Sequence, residues 1–104
     1  MHIPLGFKRA LAAKDLALGT LAQVKVGGRE LVLANIEGTY HAMEGHCPHA
    51  GAPLGDGRLR GSSVVCSLHF WAIDFATGGC SRAPGLVLDR FETKLINDHI
   101  YIKI

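Results

Sequence analysis

The sequence predicts an all-β fold, a small antiparallel β-sandwich or barrel. Short runs rich in β-branched residues recur along the chain, and 13 glycines and 4 prolines separate them. Helical periodicity is weak, apart from a possible turn at residues 12–18. A chain of 104 residues supports one modest hydrophobic core, so we expect a single domain spanning residues 1–104.

The first half of the chain is predicted to form a β-meander. Residues 21–26 and 30–36 are two strand-like runs, and Gly27-Gly28 between them is typical of a two-residue hairpin turn. A second turn at residues 37–39 leads into a third strand at residues 40–44. These strands should therefore be neighbours in one antiparallel sheet.

Four more strands are predicted in the second half. Residues 63–66 and 71–75 are short β-rich runs on either side of a tight segment. Residues 91–96 and 99–104 alternate between apolar and polar side chains, and Asn97-Asp98 separates them. This last pair is expected to form a terminal hairpin.

The strand pattern is lost between residues 45 and 61. This stretch is rich in glycine and proline, at Pro48, Gly51, Pro53, Gly55, Gly57 and Gly61. Long loops within compact domains are usually functional. Because this loop also carries Cys47 and His49, we expect it to bind a ligand.

Composition excludes several classes of protein. With 48% apolar and 19% charged residues, the chain is not expected to be disordered. Its net charge of +2 is too small and too dispersed for a nucleic-acid-binding protein. Lys8 and Arg9 precede an apolar run, but Lys14 and Asp15 interrupt it, so we expect neither a signal peptide nor a membrane span. The cytoplasm is the expected compartment.

Two half-motifs combine cysteine with histidine. Cys47-Pro48-His49 is followed, after 16 residues, by Cys66-Ser67-Leu68-His69. A zinc finger pairs cysteine with cysteine and histidine with histidine. Here each loop offers one of each, so both sulfurs can bind one metal and both nitrogens a second. This is the ligation of a [2Fe–2S] cluster in which two histidines replace two cysteines on one iron.

The motifs C-P-H-x-G-A-P-L (residues 47–54) and C-x-L-H-x-W-x-x-D (residues 66–74) resemble those of the Rieske family, in its low-potential soluble branch. This branch contains ferredoxins of ring-hydroxylating dioxygenases and small subunits of assimilatory nitrite reductases. The resemblance implies a Rieske-type β-sandwich or barrel with a loop-rich cluster-binding part at about residues 45–85. It also implies an electron carrier, not an enzyme, that takes electrons from a flavin-dependent, NAD(P)H-linked reductase and passes them to a terminal oxygenase.

The resemblance further implies the roles of particular residues. Cys47 and Cys66 would bind an inner iron, and His49 and His69 an outer, more exposed one. Pro84 would lie in a third loop that covers the other side of the cluster. Apart from the resemblance, the placement of Trp71 and Phe70 in the second ligand loop favours partial shielding of the cluster from solvent. Phe70 and Ser67 depart from the family, which usually has glycine and often proline at these positions.

The same comparison predicts a low reduction potential. High-potential members have two further cysteines, which form a disulfide, where this chain has Ala52 and Leu68. They also have a serine and a tyrosine hydroxyl near the cluster sulfurs, where this chain has Trp71 and Ile73. Because hydrogen bonds to sulfur stabilise the reduced cluster, we expect the bottom of the Rieske range, roughly −150 mV.

Other interpretations of these residues stay open on the sequence alone. A zinc-stabilised β-domain that acts as a binding module would use the same four ligands. A nitrite reductase small subunit would share the whole motif with a dioxygenase ferredoxin. Trp71 and Phe70 are also plausible core residues, and Pro84 a turn proline. Cys80 has no partner in the motif and no assigned role.

Overall fold

The structure of the protein, a computed structural model, describes residues 2–49, 51–68 and 70–104. Within these residues the chain forms twelve short strands in three antiparallel sheets, together with 3₁₀ turns at Ala13–Asp15 and Leu54–Asp56. The strands are β1 (Phe7–Ala12), β2 (Leu21–Val26), β3 (Arg29–Ile36), β4 (Thr39–Glu44), β5 (Arg58–Arg60), β6 (Ser63–Val65), β7 (Ala72–Asp74), β8 (Gly79–Cys80), β9 (Ala83–Val87), β10 (Arg90–Phe91), β11 (Thr93–Ile96) and β12 (His99–Lys103). The predicted all-β class is confirmed.

The predicted meander is the middle sheet, with strand order β10-β4-β3-β2. Gly27 and Gly28 connect β2 to β3 with φ angles of 58° and 82°, and Val26 pairs with Arg29 across the turn. Two successive positive φ angles define the hairpin turn that matches the twist of the strands, and glycine adopts them without strain. The predicted hairpin is therefore confirmed.

Both faces of the middle sheet are covered. Leu31 and Leu33 of β3 pack in one core with Ile100 of β12, which belongs to the sheet β1-β12-β11. Val32 of β3 points to the opposite face and packs in a second core with Ile73 of the sheet β5-β6-β7-β8-β9. This arrangement explains why residues 31–34 of β3 are all apolar, since alternate residues are buried on opposite faces of the sheet.

The terminal hairpin is confirmed, but one predicted strand is divided between two sheets. Asn97 and Asp98 form the predicted turn, both with positive φ. The run at residues 91–96 was predicted to be one strand. In the structure β10 pairs with β4 and β11 pairs with β12, so the chain changes sheets between them. Alternation of side chains reports which face is buried and carries no information about the neighbouring strand.

Four strands, β1, β5, β8 and β9, lie in regions where no strand was predicted. The expectation that residues 45–61 lack regular structure is wrong in part, because they contain the turn Leu54–Asp56 and strand β5. β5 and β8 have only three and two residues, too few to show a period. β9 carries mostly exposed side chains at a sheet edge, so it lacks the apolar alternation of a half-buried strand.

The two cysteine–histidine segments project from the middle and five-stranded sheets. The first follows β4, and the second connects β6 to β7. Cys47 and Cys66 both belong to the core between these sheets, together with Leu54 and Cys80. No helix in the described part of the chain is long and apolar enough to cross a membrane.

Candidate metal centre

The first cysteine–histidine segment is a closed loop that buries its cysteine. The amide of Cys47 donates to the carbonyl of Ala52 at 2.8 Å, and the amide of Gly51 donates to the carbonyl of Cys47 at 2.7 Å. His46 and Pro53 form an isolated β-bridge at the base of the loop. Only 1% of Cys47 is exposed. The loop therefore holds Cys47 in the core, whereas His49 is exposed.

The second segment is a tight loop between β6 and β7. The amide of Cys66 donates to the carbonyl of Trp71 at 2.8 Å, which closes the loop, and Cys66 is fully buried. The amide of Leu68 points back and donates to Sγ of Cys66 at 3.4 Å. This donor was not predicted, because a backbone N–H leaves no signal in the side-chain pattern.

Phe70 supplies the backbone angle that this loop needs. Its φ is 57°, in the left-handed region where glycine is the usual residue. The chain thus keeps the conformation of the glycine that the Rieske resemblance leads one to expect, at an energetic cost. The Phe70 side chain is 66% exposed and faces solvent.

The two buried thiols are neighbours. Burial raises the pKa of the Cys66 thiol, the Leu68 amide opposes this effect, and the hydrogen-bonded side chain of Cys47 raises the pKa further. Two adjacent thiolates in the core would repel each other strongly. A bound cation removes this repulsion and lets both thiols ionise, so this pair is suited to bind a metal.

His49 lies outside the sulfur pair, against an aromatic ring. Its imidazole stacks on the Trp71 indole with ring centroids 4.6 Å apart and ring planes 19° from parallel. Trp71 is itself partly buried against the core. Among the residues that the structure describes, no three histidine, cysteine, aspartate or glutamate side chains converge as ligands of one ion. His69 lies outside the described residues.

The segment around Pro84, which was predicted to be a third loop at the site, differs from the prediction. Pro84 lies in strand β9 and is exposed, whereas a loop or turn was expected. Its missing N–H is tolerated because β9 is an edge strand. The turn that approaches the site comes just before it, where Ser81 donates its amide to the carbonyl of Ala72 at 2.9 Å and accepts the Ala72 amide on Oγ at 3.1 Å. Ser81 is thus linked to the residue that follows Trp71.

A cleft of about 260 Å³ opens beside the second loop. Cys66, Ser67 and Phe70 line one side, and residues 56–58 line the other. It adjoins the buried sulfur pair rather than forming a separate site.

Comparison with known proteins decides what this donor set holds. Residues 7–92 match the family described as the Rieske [2Fe-2S] domain. The chain belongs to this family. The cofactor of a Rieske domain is a [2Fe–2S] cluster, and the buried thiol pair with an exposed imidazole in the same loop region has the donor chemistry that such a cluster needs. Family membership thus replaces the zinc interpretation.

Curated relatives of this Rieske domain differ in length. The chain is 32% identical over 97 residues to the ferredoxin component of the naphthalene 1,2-dioxygenase/salicylate 5-hydroxylase systems of Ralstonia sp., covering 91% of the chain and 92% of that protein. It is 34% identical over 91 residues to human apoptosis-inducing factor 3, covering 86% of the chain. That match spans 15% of the human protein's length, so a Rieske domain is also part of a longer chain.

A solved structure supports the fold over nearly the whole chain. The Rieske domain is similar to a chain in the complex of reduced oxygenase and oxidized ferredoxin of carbazole 1,9a-dioxygenase, with a TM-score of 0.83 and 27% identity. The match covers 96% of this chain and 94% of that one.

Proposed function

We propose that this Rieske domain is a ferredoxin, a one-electron carrier between an NAD(P)H-linked, flavin-dependent reductase and a terminal oxygenase such as an aromatic-ring-hydroxylating dioxygenase. The supporting observation is the match to a ferredoxin component that covers 91% of this chain and 92% of that protein. A carrier of this kind needs little more than a domain that binds one redox group near its surface.

The proposal assigns four ligands. Cys47 and Cys66 bind the inner iron, because their thiols are adjacent and buried. His49 and His69 bind the outer iron. The exposure of His49, in contrast to the burial of both cysteines, supports this division. The cluster-binding part is then about residues 45–85, in a single domain of residues 1–104.

The bound cluster supplies a one-electron redox couple. The chain's own contribution is to exclude water from the sulfur side and to leave an imidazole edge accessible to a partner. Pro48, His49, Leu68 and Phe70 are exposed around this tip. Weak redox encounters use small interfaces, so reductase and oxygenase would contact this tip in turn.

Local hydrogen bonding supports a potential near the bottom of the Rieske range, roughly −150 mV. Ile73 is fully buried at the position where high-potential members have a tyrosine hydroxyl. The donor to ligand sulfur that the structure shows is the backbone amide of Leu68. With this one backbone donor to sulfur among the described residues, the extra negative charge of the reduced state is weakly stabilised.

Cofactor and carrier role are tested separately. Iron and acid-labile sulfide analysis with EPR of the dithionite-reduced protein tests the cluster. His69→Cys should keep a cluster and lower its potential, because a thiolate adds negative charge. Absence of the rhombic Rieske EPR signal from the reduced wild-type protein would refute the ligand assignment.

The carrier role is tested by reconstitution. The reductase and oxygenase of a naphthalene dioxygenase system, with NADH and naphthalene, should form product only when this protein is added. A protein with an intact cluster that the reductase reduces, but that cannot reduce the oxygenase, would refute the proposed oxygenase partner. We place the protein in the cytoplasm, where NAD(P)H is available and thiols stay reduced.

A further inference from the structure

Gln23, in strand β2, holds both ends of the first ligand loop. Its Nε2 donates to the carbonyl of Gly45 at 2.8 Å, and its Oε1 accepts the amide of Gly55 at 2.8 Å. The loop between these glycines contains Cys47 and His49. One side chain outside the loop therefore joins its beginning to its end.

Glu30 fixes the orientation of the Gln23 amide. Oε1 of Glu30 accepts a second hydrogen bond from Nε2 of Gln23 at 3.2 Å. Because Nε2 then faces two oxygens, the carbonyl oxygen of Gln23 must face the Gly55 amide. A glutamine satisfies this set of partners, since it carries donor and acceptor on one rigid plane.

The two glycines are packed directly against Gln23. A Cβ at Gly45 would lie 2.6 Å from Nε2 of Gln23 and 2.9 Å from the carbonyl of Glu30, and one at Gly55 would lie 2.7 Å from the backbone nitrogen of Gln23. Neither glycine has a positive φ, so close approach rather than backbone conformation requires them. The loop is thus seated on β2 at both ends.

The loop also has its own closure, which shows what Gln23 adds. The amide of Leu54 donates to the carbonyl of Gly45 at 2.8 Å, so the loop can close without Gln23. The amide of Gly45 also donates to the carbonyl of Glu30 at 3.1 Å, which holds the beginning of the loop to β3. Gln23 adds a side-chain connection from β2 to both ends of the loop, including its far end at Gly55. It therefore affects where Cys47 and His49 lie relative to Cys66, which the five-stranded sheet carries.

We propose that Gln23 is a positioning residue for the cluster, one that sets the placement of the first ligand pair relative to the second. This inference rests on the ligand assignment proposed above for Cys47 and His49. Changing Gln23 should alter the electronic properties of a cluster whose four ligands are intact. A merely structural residue would change stability alone.

The test compares loaded protein carrying Gln23→Met, Gln23→Glu or Lys25→Met with the wild type. Methionine keeps the length of the side chain and removes all three hydrogen bonds. Glutamate keeps an acceptor for Gly55 but turns an oxygen, instead of a donor, toward the carbonyl of Gly45 and the carboxylate of Glu30. Lys25 lies two residues along the same strand and is exposed, so its variant is the matched control. The readouts are EPR g values, reduction potential, the rate of iron release to a chelator, and amide exchange.

For Gln23→Met we expect shifted g values and a shifted potential, with iron release roughly thirtyfold faster, which corresponds to about 2 kcal/mol for the two hydrogen bonds between Gln23 and the loop. Amide exchange should accelerate in residues 45–57. Gln23→Glu should show changes at least as large in the same direction, because its carboxylate is repelled by Glu30 and by the Gly45 carbonyl oxygen, and Lys25→Met should show none. If Gln23→Met fails to fold, Gln23→Asn, whose shorter side chain cannot bridge Gly45 and Gly55, decides the question.

Wild-type g values and potential in a loaded Gln23 variant would overturn the proposal, even if that variant unfolds more easily. Equal changes in Lys25→Met would overturn it as well. These measurements use no partner protein, so a negative result for Gln23 is distinguishable from a negative result for the proposed carrier role. Absence of a Rieske signal in the wild type would instead refute the ligand assignment.

Discussion

Replacing Gly57 with alanine should separate two strands just ahead of a cluster ligand. Gly57 follows the turn Leu54–Asp56, and its amide donates to the carbonyl of Leu54 at 3.0 Å. A Cβ on Gly57 would lie 2.1 Å from the carbonyl oxygen of Val65, whereas real Cβ contacts are essentially never below 3.0 Å. The backbone must therefore move by roughly 0.9 Å. Since Val65 directly precedes Cys66, the displacement reaches the ligand loop.

The expected loss of stability in Gly57→Ala follows from the steric clash and from the strand pairing that the clash disturbs. Overpacking of this kind costs about 1–3 kcal/mol. Arg58 and Val65 are paired across β5 and β6, and loss of a hydrogen bond there adds about 1 kcal/mol. We expect the free energy of unfolding to fall by about 2–4 kcal/mol and Tm by roughly 10–25 °C. The cluster should also be lost faster.

Gly85→Ala is the matched control. A Cβ at Gly85 meets nothing within 4 Å, and its φ lies outside the left-handed region. Both variants restrict the unfolded chain equally, so their difference isolates the clash. Urea unfolding followed by circular dichroism measures stability, and visible absorbance follows the cluster. If Gly57→Ala matches Gly85→Ala within about 0.5 kcal/mol, the steric argument is refuted.

Three more predictions concern side chains near the cluster. Phe70→Val should be less stable than Phe70→Gly by about 2 kcal/mol in urea unfolding, because a β-branched residue tolerates the left-handed φ poorly; equal stabilities would contradict this. Trp71→Leu should release iron to a chelator faster than Trp71→Phe, which keeps a ring against His49, and equal rates would show that the stack is immaterial. Burial, followed by the nearby Cys47, raises the pKa of the Cys80 thiol, so iodoacetamide should label it slowly in the folded protein. Because the pKa of Cys80 is raised in the folded protein, its contribution to the free energy of unfolding should be complete below the usual pKa of 9.0 and be lost as pH rises through the raised value. Urea unfolding at several pH values should show this loss in the wild type and a flatter pH profile in Cys80→Ala.

The candidate metal centre could be proposed from the sequence because its proposed ligands form local patterns. A cysteine and a histidine two or three residues apart reveal each half of the centre without knowledge of the fold. The burial of Cys47 and Cys66 and the exposure of His49 agree with the predicted division into inner and outer ligands. His69 lies outside the described residues, so its role as an outer ligand stays a prediction.

The sequence could not reveal the contacts that surround these ligands. Gln23 is an ordinary polar residue of a predicted strand, and 22 residues separate it from Gly45. The Leu68 amide that reaches sulfur is backbone, and Pro84 was placed in a loop although it lies in an edge strand. Each of these features depends on which distant segment is adjacent, and residue type does not report this.

By itself, the sequence determined the all-β class, the two hairpin turns with positive φ and the cysteine–histidine pairs, since each depends on residues close together in the chain. The tertiary structure alone decided that residues 91–96 divide between two sheets, that both faces of β3 are buried, and that Gln23 lies against Gly45 and Gly55. The physical reason is that chain connectivity fixes local conformation, whereas strand pairing and close backbone approach are selected by the packing of the whole molecule.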